Sequence, residues 1–312
     1  MEGGKVIAVH NQSFHADDAL SIYFLRQTDE FKGASYIRSR DPEELNRADV
    51  VCDVGGIYDH EKRRYDHHQP TFKMTFPNST VQLASCGLVY FHFGHEINKN
   101  ILKENGRDLG NHSDLVYEAM YRLFVKEIDA NDNGVSLYPN EAEVKYNLNT
   151  CVSQRIGMLN NIGTFDDAIE LIGNEYKNRL LRFFDSDVPA IEVAEHTFKS
   201  RFDVDESGQI LVNEEKCSID HRIKELEKET NCKEILYNIF PRDDGSWNIR
   251  ALNSSGFELR KPLPFRGLRD EELSKACGIP GGVFVHKNGF IGAFKTKEAA
   301  IQFAKLAVNY TE

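Results

Sequence analysis

Several features that mark small secreted or membrane proteins are scarce in this sequence of 312 residues. Its six cysteines include no C-x-x-C pair of the kind found in zinc ribbons and redox motifs, which indicates free thiols in a reducing compartment. No run approaches the roughly 18 apolar residues that a membrane span needs. The first residues lack the apolar core of a signal peptide and the composition of a transit peptide. We therefore expect a cytoplasmic or nuclear protein without a membrane partner.

Positive charge is also scarce, because 38 Lys and Arg residues face 49 Asp and Glu residues and the net charge is −11. This balance argues against a protein that coats nucleic acid through clustered basic residues. The acidic excess lies before Lys233, since the remainder has twelve Lys and Arg against nine Asp and Glu. An acidic first part can still act on phosphates if its carboxylates hold metal ions, which reverse the local charge.

The order of the expected elements indicates an α/β protein with two domains. In the first part, β-branched runs such as KVIAVH alternate with helix signatures such as DPEELNRA. This alternation is typical of a parallel sheet wrapped by helices, in which ligands bind beyond the carboxyl ends of the strands. Later strands are shorter, and Asn288-Gly289 between two apolar runs predicts a hairpin. We predict a parallel-sheet domain over 1–200 and a smaller α+β domain over 201–312.

Histidine and aspartate recur in four clusters within the first 132 residues, at expected strand ends or in loops. Side chains displayed there by a rigid scaffold often bind ligands. Imidazole and carboxylate together suit manganese, zinc or iron, whereas magnesium prefers oxygen alone. Two such ions about 3.5–4 Å apart can turn a bridging water into hydroxide and hold the attacked phosphate. The clusters are His10 with His15 and Asp17, then Asp53, then Asp66-His67-His68, and finally Asp129 with Asp132.

Each cluster taken alone also has a structural interpretation. Asp53 could simply end a strand in a turn, and a single histidine is often only hydrogen-bonded in the interior. The recurrence of donors at successive strand ends favours one shared site. Hydrolysis of a phosphoester is the reaction that such a site performs best.

Four motifs stand in a fixed order: His10-x4-His15-x-Asp17, DVGG from Asp53, YDHHQ from Tyr65 and EIDANDNG from Glu127. Together they resemble the DHH phosphoesterase superfamily, and more closely its Myg family, whose members are also called metal-dependent protein hydrolases. The resemblance continues through RKPLPFRGLRDEEL and GIPGGVFVHKNGFIGAFKTKEAA and covers nearly the whole chain. It implies a DHH-type parallel-sheet domain and a C-terminal domain that closes over a cleft.

The resemblance also implies a metal centre with two Mn²⁺ ions, with Mg²⁺ or Zn²⁺ as other options. The expected metal ligands are His10, His15, Asp17, Asp53, His67 and Asp129. His68 would contact the scissile phosphate with support from Asp66, and we predict His68, Asp66 and Asp17 as catalytic residues. The superfamily usually has Asp-x-Asp where this chain has His15-Ala16-Asp17, so the identity of the metal stays open. The contributions of Asp18 and Asp132 are open as well.

By similarity, the predicted function is 3′–5′ exonuclease activity on short single-stranded RNA or on DNA. The residues predicted to bind this substrate are Arg38, Arg40, Arg250, Arg260, Lys261, Arg266, Arg269 and the Gly281-Gly282 pair. Interleaved aromatic residues favour a groove on which bases stack, although a packed core with a basic rim explains the second-domain residues equally well. Hydrolysis of a small phosphoanhydride or dinucleotide is one alternative, and a non-catalytic metal-binding module is another. Some relatives are mitochondrial, and the sequence leaves the oligomeric state open.

Overall fold

A computed structural model of the protein describes residues 4–139, 143, 145–215 and 217–311. It has a mixed α/β fold that divides into two compact units, Met1–Phe184 and Asp185–Glu312. The expected mixture of helices and sheets is therefore confirmed, while the DHH-type arrangement and the roles of the two domains stay predictions. None of the described helices is long and apolar enough to cross a membrane.

The first unit contains a five-stranded sheet. Its strands are β1 (Val6–Val9), β2 (Ser35–Arg38), β3 (Val50–Cys52), β4 (Tyr58–Asp59) and β5 (Arg64–Tyr65), in the order β2-β1-β3-β5-β4. Strand β1 pairs in parallel with β2 and β3, β3 pairs in parallel with β5, and β4 is antiparallel to β5. Because parallel strands end at the same edge of a sheet, the residues that follow β1, β3 and β5 meet there: His10, Asp53 and Asp66.

Helices surround this sheet in the first unit. They are α1 (Ala16–Arg26), α2 (Pro42–Arg47), α3 (Ser85–Glu104), α4 (Ser113–Met120), α5 (Lys126–Asp132), α6 (Val152–Ile162) and α7 (Phe165–Arg182). Helix α1 is buried along most of its length and packs against α3 and α7. A π-helical turn, Tyr121–Val125, joins α4 to α5, and a second one, Phe183–Asp187, follows α7. Such turns often occur at functional sites.

The second unit contains a five-stranded sheet with the order β11-β12-β8-β7-β6. The strands of this unit are β6 (Ile210–Val212), β7 (Tyr237–Pro241), β8 (Trp247–Ala251), β9 (Asn253–Ser255), β10 (Glu258–Leu259), β11 (Gly282–Val285) and β12 (Ile291–Phe294). Its helices are α8 (Val188–Lys199), α9 (Arg201–Val204), α10 (Asp220–Thr230), α11 (Asp270–Cys277) and α12 (Lys297–Asn309). Strands β11 and β12 pair antiparallel around the Asn288-Gly289 turn, so the predicted hairpin is confirmed.

The two faces of this second sheet pack differently, because side chains alternate along each strand. One face contributes Ile239, Ile249 and Phe294 to a core with Phe303 of α12. On the opposite face, Leu211 belongs to a smaller core with residues of α8 and α10. The same face also carries Asn238, Phe240, Asn248 and Arg250, which line a cavity.

Two of the basic residues predicted to bind substrate are used inside the second unit. The Arg260 side chain is only 6% exposed and donates to both carboxylate oxygens of Glu227, at 2.5 and 2.8 Å. It also donates to the Ile235 carbonyl, and the Lys261 ammonium donates to the Val308 carbonyl at 2.7 Å. These contacts give Arg260 and Lys261 structural roles, and their predicted contacts with substrate gain no support.

Replacing Arg260 by Ala should lower the free energy of unfolding of the second unit by about 3–5 kcal/mol, because Glu227 would stay buried without its partner. Urea denaturation followed by circular dichroism measures this loss. Lys275→Ala is the matched control, since it removes the same charge from a side chain that is 76% exposed. The control should change stability by less than about 0.5 kcal/mol. Equally small losses in both variants would contradict the assigned role of Arg260.

Candidate metal centre

The carboxyl edge of the first sheet gathers most of the residues predicted as metal ligands or catalytic residues around one cavity of 370 Å³. Strands β1 and β3 deliver His10 and Asp53, and β5 is followed by Asp66, His67 and His68. Helix α1 adds His15 as its N-cap and Asp17 in its first turn. These side chains thus lie together at the edge where the strand pattern predicts a ligand site.

The backbone of Asp53 has the left-handed conformation, with φ +58°. Few residues other than glycine tolerate this region, but Asp and Asn do so because their short side chains can bond locally. Gly55 and Gly56 follow with φ of +96° and +66°, which completes a tight turn directly after β3. The motif DVGG is thus a turn that fixes the position of one carboxylate.

The two carboxylate oxygens of Asp53 face different partners. Its Oδ2 lies 3.3 Å from His10 Nε2, whereas its Oδ1 lies 3.7 Å from His67 Nε2. Accordingly Asp53 belongs to three groups of potential metal ligands whose donor atoms lie within 4.8 Å of one another. The first group is His10, His15 and Asp53, and the second is Asp17, Asp53, His67 and Asp132. The third group, Asp53, His67 and His68, overlaps the second at Asp53 and His67. Each of these groups could hold a metal ion.

Several buried donor atoms in these groups lack hydrogen bonds within the described residues. They include His10 Nε2, His67 Nε2 and Asp53 Oδ1. The other ring nitrogen of His10, Nδ1, contacts the Asn11 carbonyl oxygen at 2.9 Å, which favours a proton on Nδ1 and leaves the Nε2 lone pair free. Buried polar atoms are rarely left without partners, so this set of imidazole and carboxylate atoms fits a divalent transition metal.

The acidic residues of the site perturb one another strongly. Burial raises the pKa of Asp17 well above its ordinary value, and the nearby carboxylates of Asp132 and Asp53 raise it further. Burial lowers the pKa of His67, but its contacts with Asp132 and Asp53 outweigh this and raise it to about 11. Without metal, a protonated His67 therefore offsets the buried negative charge. A cation at the same place must displace that proton, so acid opposes metal binding.

Asp18, whose role the sequence left open, supports the site without joining either group. Its Oδ1 accepts the backbone N–H groups of His15 and Ala19 at 2.9 and 2.8 Å, which caps the first turn of α1. Its Oδ2 lies 3.3 Å from His10 Nε2. Burial raises the pKa of Asp18 to about 7. This second oxygen is thus an additional donor atom beside His10.

The structure separates the roles of Asp129 and Asp132. Asp132 Oδ2 lies 2.9 Å from His67 Nε2, within the second group. Asp129 is fully buried, and its oxygens accept the Ala84 N–H at 2.9 Å and the Tyr121 O–H at 3.0 Å. Asp129 instead forms a further group with Asp17 and Cys86. Asp132, whose role the sequence left open, therefore lies beside His67, whereas Asp129, predicted as a metal ligand, belongs to a different group of potential ligands.

The N-terminus of α3 holds the carboxylate of Asp17. Its two oxygens accept the N–H groups of Cys86 at 2.7 Å and Ser85 at 3.1 Å. Helix N-termini favour negative charge because their first N–H groups lack partners in the helix. A Cβ on Gly87 would overlap the neighbouring Asp129 carboxylate. Sequence reasoning missed this segment, although the small residues Ser-Cys-Gly at the start of an apolar helix were a visible signal.

His68 pairs with Asp66 and also belongs to the third group of potential metal ligands, with Asp53 and His67. The imidazole Nδ1 of His68 lies 2.6 Å from Asp66 Oδ1, which also accepts the His68 backbone N–H. The other Asp66 oxygen accepts the Gly56 N–H at 2.5 Å. The His68 side chain is 61% exposed and lines the cavity, and its Nε2 is not used by Asp66. Asp66 therefore positions His68, as the sequence analysis expected.

The predicted substrate-binding arginines of the first unit differ in their surroundings. Arg40 is exposed and lines the cavity. Arg38 donates to the Gln12 carbonyl at 2.7 Å, and its guanidinium lies 4.6 Å from the centre of the Phe165 ring. Arg40 is thus available to a bound anion, whereas Arg38 mainly links the end of β2 to Gln12 and Phe165.

The remaining residues of the second unit that were predicted to bind substrate also differ in their surroundings. Arg250 pairs with Asp220 at 2.6 Å, while Arg266 and Arg269 are exposed. Gly281 has φ +82°, as a backbone nest requires, but the Gly282 N–H already donates to Ser274 Oγ at 2.9 Å. The proposed anion nest at Gly281-Gly282 therefore has one of its N–H groups occupied.

Asp53→Asn should reduce metal affinity by at least roughly tenfold, because even residues that only orient metal ligands contribute about 10–100-fold. Asn tolerates the left-handed backbone, so the fold should survive the change. Elemental analysis after dialysis against buffer with limiting Mn²⁺ measures the retained metal. Asp41→Asn, at the exposed N-cap of α2, is the control and should retain as much as the wild type. Full retention by Asp53→Asn would rule out the central position assigned to Asp53.

Comparison with known proteins places the chain in a family. The family model MYG1_exonuc, described as "Uncharacterised protein family (UPF0160)", matches residues 6–308. A MYG1 protein of Caenorhabditis elegans is 38% identical over 331 residues, which cover 99% of this chain and 96% of that protein. A human protein named MYG1 exonuclease is 37% identical over 320 residues, which cover 96% of this chain and 84% of that protein.

Among solved structures, an uncharacterized protein from Helicobacter pylori G27 matches with 14% identity over 99% of this chain and 100% of that chain. Its TM-score of 0.28 is too low to compare the folds. The sequence relatives agree with the Myg resemblance over nearly the whole length. This chain therefore belongs to the MYG1 family.

Proposed function

We propose that this protein is a metal-dependent phosphodiesterase of the DHH type that removes nucleotides from the 3′ end of short single-stranded RNA. The observation that carries the proposal is the position of Asp53 between two groups of potential metal ligands. A carboxylate that offers one oxygen to each group suits a centre with two adjacent ions. The name of the human relative, MYG1 exonuclease, favours a nucleic-acid substrate.

Two Mn²⁺ ions are the proposed cofactors. His10, His15 and Asp53 would hold one ion, and the second would be held by Asp17, Asp53, His67 and Asp132. Ions bound in this way activate water and neutralise charge on the phosphate. The imidazoles favour manganese over magnesium, which prefers oxygen ligands and retains its own waters.

His68 is the proposed contact to the reacting phosphate. Asp66 holds its Nδ1, so the imidazole presents Nε2 toward ligands that enter the cavity. A hydrogen bond from this position strengthens as negative charge grows on the phosphate oxygens, and the Asp66 carboxylate stabilises the protonated ring that donates it. Arg40 at the same cavity adds a cation for a neighbouring phosphate.

A small phosphoanhydride or dinucleotide is the second candidate substrate. The cavity of 370 Å³ is close to the size of a small-molecule site, and the net charge of −11 repels long polyanions. The terminal nucleotide of a longer single strand also fits into a cavity of this volume. Substrate length therefore decides between the two candidates.

Activity on a 12-nucleotide RNA labelled at its 5′ end tests the proposal. In the presence of Mn²⁺ we expect a ladder of labelled products that shorten by single nucleotides, because cleavage proceeds from the 3′ end. A circular RNA of the same sequence should stay intact, and Asp53→Asn should show no turnover. Immediate release of a labelled mononucleotide would contradict the direction, and cleavage of the circle would contradict exonuclease action. Cleavage confined to dinucleotides would favour the second candidate.

His68→Ala should lower kcat by about 10²–10³-fold, the usual cost of removing one donor to a transition-state oxyanion, while the metal content stays unchanged. Single-turnover kinetics and elemental analysis on the same samples measure both quantities. His95→Ala is the control, because His95 is a partly exposed histidine outside both groups of metal ligands. It should retain wild-type activity. Parallel loss of metal and activity in His68→Ala would show that His68 acts as a ligand instead.

A further inference from the structure

A second cavity, of 560 Å³, is lined entirely by residues of the second unit. Strands β7 and β8 form its floor with the outward face of their hairpin, and the segment before α10 adds Cys217 and Ser218. The volume lies within the range of sites for small organic ligands. This cavity is separate from the candidate metal centre, since the two share no lining residue.

Two asparagines in this cavity have a buried side-chain oxygen without a hydrogen-bond partner. Asn238 is only 1% exposed, and the buried Oδ1 atoms of Asn238 and Asn248 accept no hydrogen bond within the described residues. In the strand register Asn238 lies opposite Arg250 and Asn248 opposite Phe240, so all four side chains share one face of the sheet. A buried carboxamide oxygen without a partner is costly, so these two oxygens are available as acceptors for a bound group that donates hydrogen bonds.

The charged side chains of the cavity balance one another. The lining contains two arginines and two aspartates and so has no net charge. Arg250 donates to Asp220 at 2.6 Å, and Arg242 lies 3.4 Å from an Asp244 oxygen. Both guanidinium groups are therefore already engaged with carboxylates. A phosphate would find little excess positive charge here, whereas a neutral group could bond to the two carboxamides.

The remaining lining offers flat surfaces. Phe240 is half-buried in the cavity, with the Arg250 guanidinium 5.4 Å from the centre of its ring. Aromatic rings and guanidinium planes are the surfaces on which bases of single strands stack. A carboxamide has one donor and one acceptor side by side, which matches the paired donor and acceptor atoms on the edge of a nucleobase.

We infer that this cavity binds a nucleobase, with Phe240 as a stacking surface and the carboxamides of Asn238 and Asn248 bonded to its edge. The claim that this base is part of the substrate strand rests on the proposed function. The claim that the cavity binds a free nucleoside does not depend on that function. The two ideas can therefore fail separately.

Saturation-transfer NMR on the full chain, with millimolar adenosine, cytidine or uridine, tests this inference. We expect signal transfer to the base protons of the nucleosides and none to ribose alone. N-acetylglycinamide, which carries peptide amides, should give no transfer. Equal transfer to ribose, or transfer to N-acetylglycinamide without transfer to the nucleosides, would overturn the inference.

Asn238→Leu removes the carboxamide and keeps the size of the side chain. It should weaken nucleoside binding by about fivefold or more, because a good bidentate pair with a base contributes roughly 5–150-fold. The melting temperature should rise by roughly 2 °C or more, since a buried amide without partners is lost. Asn248→Leu, at a less buried position, should weaken nucleoside binding in the same way. Unchanged nucleoside affinity in both variants would overturn the inference.

Asn98→Leu in the first unit is the matched control. Asn98 is also 1% exposed, but its carboxamide donates to Tyr90 and accepts from Tyr176. This substitution should lower the melting temperature and leave nucleoside affinity unchanged at temperatures where the variant is folded. Weaker nucleoside binding in folded Asn98→Leu would show that the loss in Asn238→Leu is not specific to the cavity, and would overturn the inference.

RNA hydrolysis by the same variants separates this inference from the proposed function. Asn238→Leu should raise the KM for the 12-nucleotide RNA and leave turnover of bis(p-nitrophenyl) phosphate unchanged. If the wild type degrades RNA but binds no nucleoside, the cavity assignment fails and the proposed function stands. If nucleosides bind through Asn238 but no phosphoester is hydrolysed, the cavity assignment stands and the proposed function fails.

Discussion

The first unit is organised around the problem of burying several carboxylates at one edge of a sheet. Asp17, Asp53, Asp66 and Asp129 are almost inaccessible to solvent and lie close together. Removing such groups from water is expensive unless positive charge or hydrogen-bond donors compensate them. The compensation differs for each carboxylate. Imidazoles surround Asp53, and the start of α3 donates to Asp17. His68 and the Gly56 N–H contact Asp66, and the Ala84 N–H and the Tyr121 hydroxyl donate to Asp129. The places where this compensation is incomplete are those where donor atoms remain free for a cation.

This division explains why neighbouring carboxylates have different roles. Asp17 and Asp129 are fixed by N–H and O–H donors, which hold their oxygens in place. Asp53 is held by its left-handed backbone instead, and its oxygens stay available to two sets of partners. Because the main-chain conformation fixes the position of this carboxylate, its oxygens need no hydrogen bonds to hold them and remain able to coordinate a cation. The strain of that backbone, of the order of 1–3 kcal/mol, is the cost of this arrangement.

Much of the metal centre could be predicted because it depends on simple geometry. Residues that directly follow parallel strands meet at one edge, so His10, Asp53 and Asp66 could be grouped from the strand pattern alone. Asp129 and Asp132 could not be told apart, since they are three residues apart on one helix and the donors that occupy Asp129 come from distant segments. The pairing of Arg260 could not be predicted for a similar reason, because its partner Glu227 lies on another element. The free carboxamide of Asn238 has no sequence signature, since an asparagine in a strand says nothing about its partners.

The π-helical turn at Tyr121–Val125 has an evolutionary consequence for the chain. Successive residues of an α-helix are rotated by about 100°, so a single deletion that converted this turn to ordinary helix would swing α5 around its axis. Asp129 would lose Tyr121 and Ala84, and Asp132 would leave His67. Point substitutions on the outer surface of α4 and α5 disturb none of these contacts. We therefore expect natural selection to remove insertions and deletions between α4 and α5, while substitutions on their outer surfaces are tolerated.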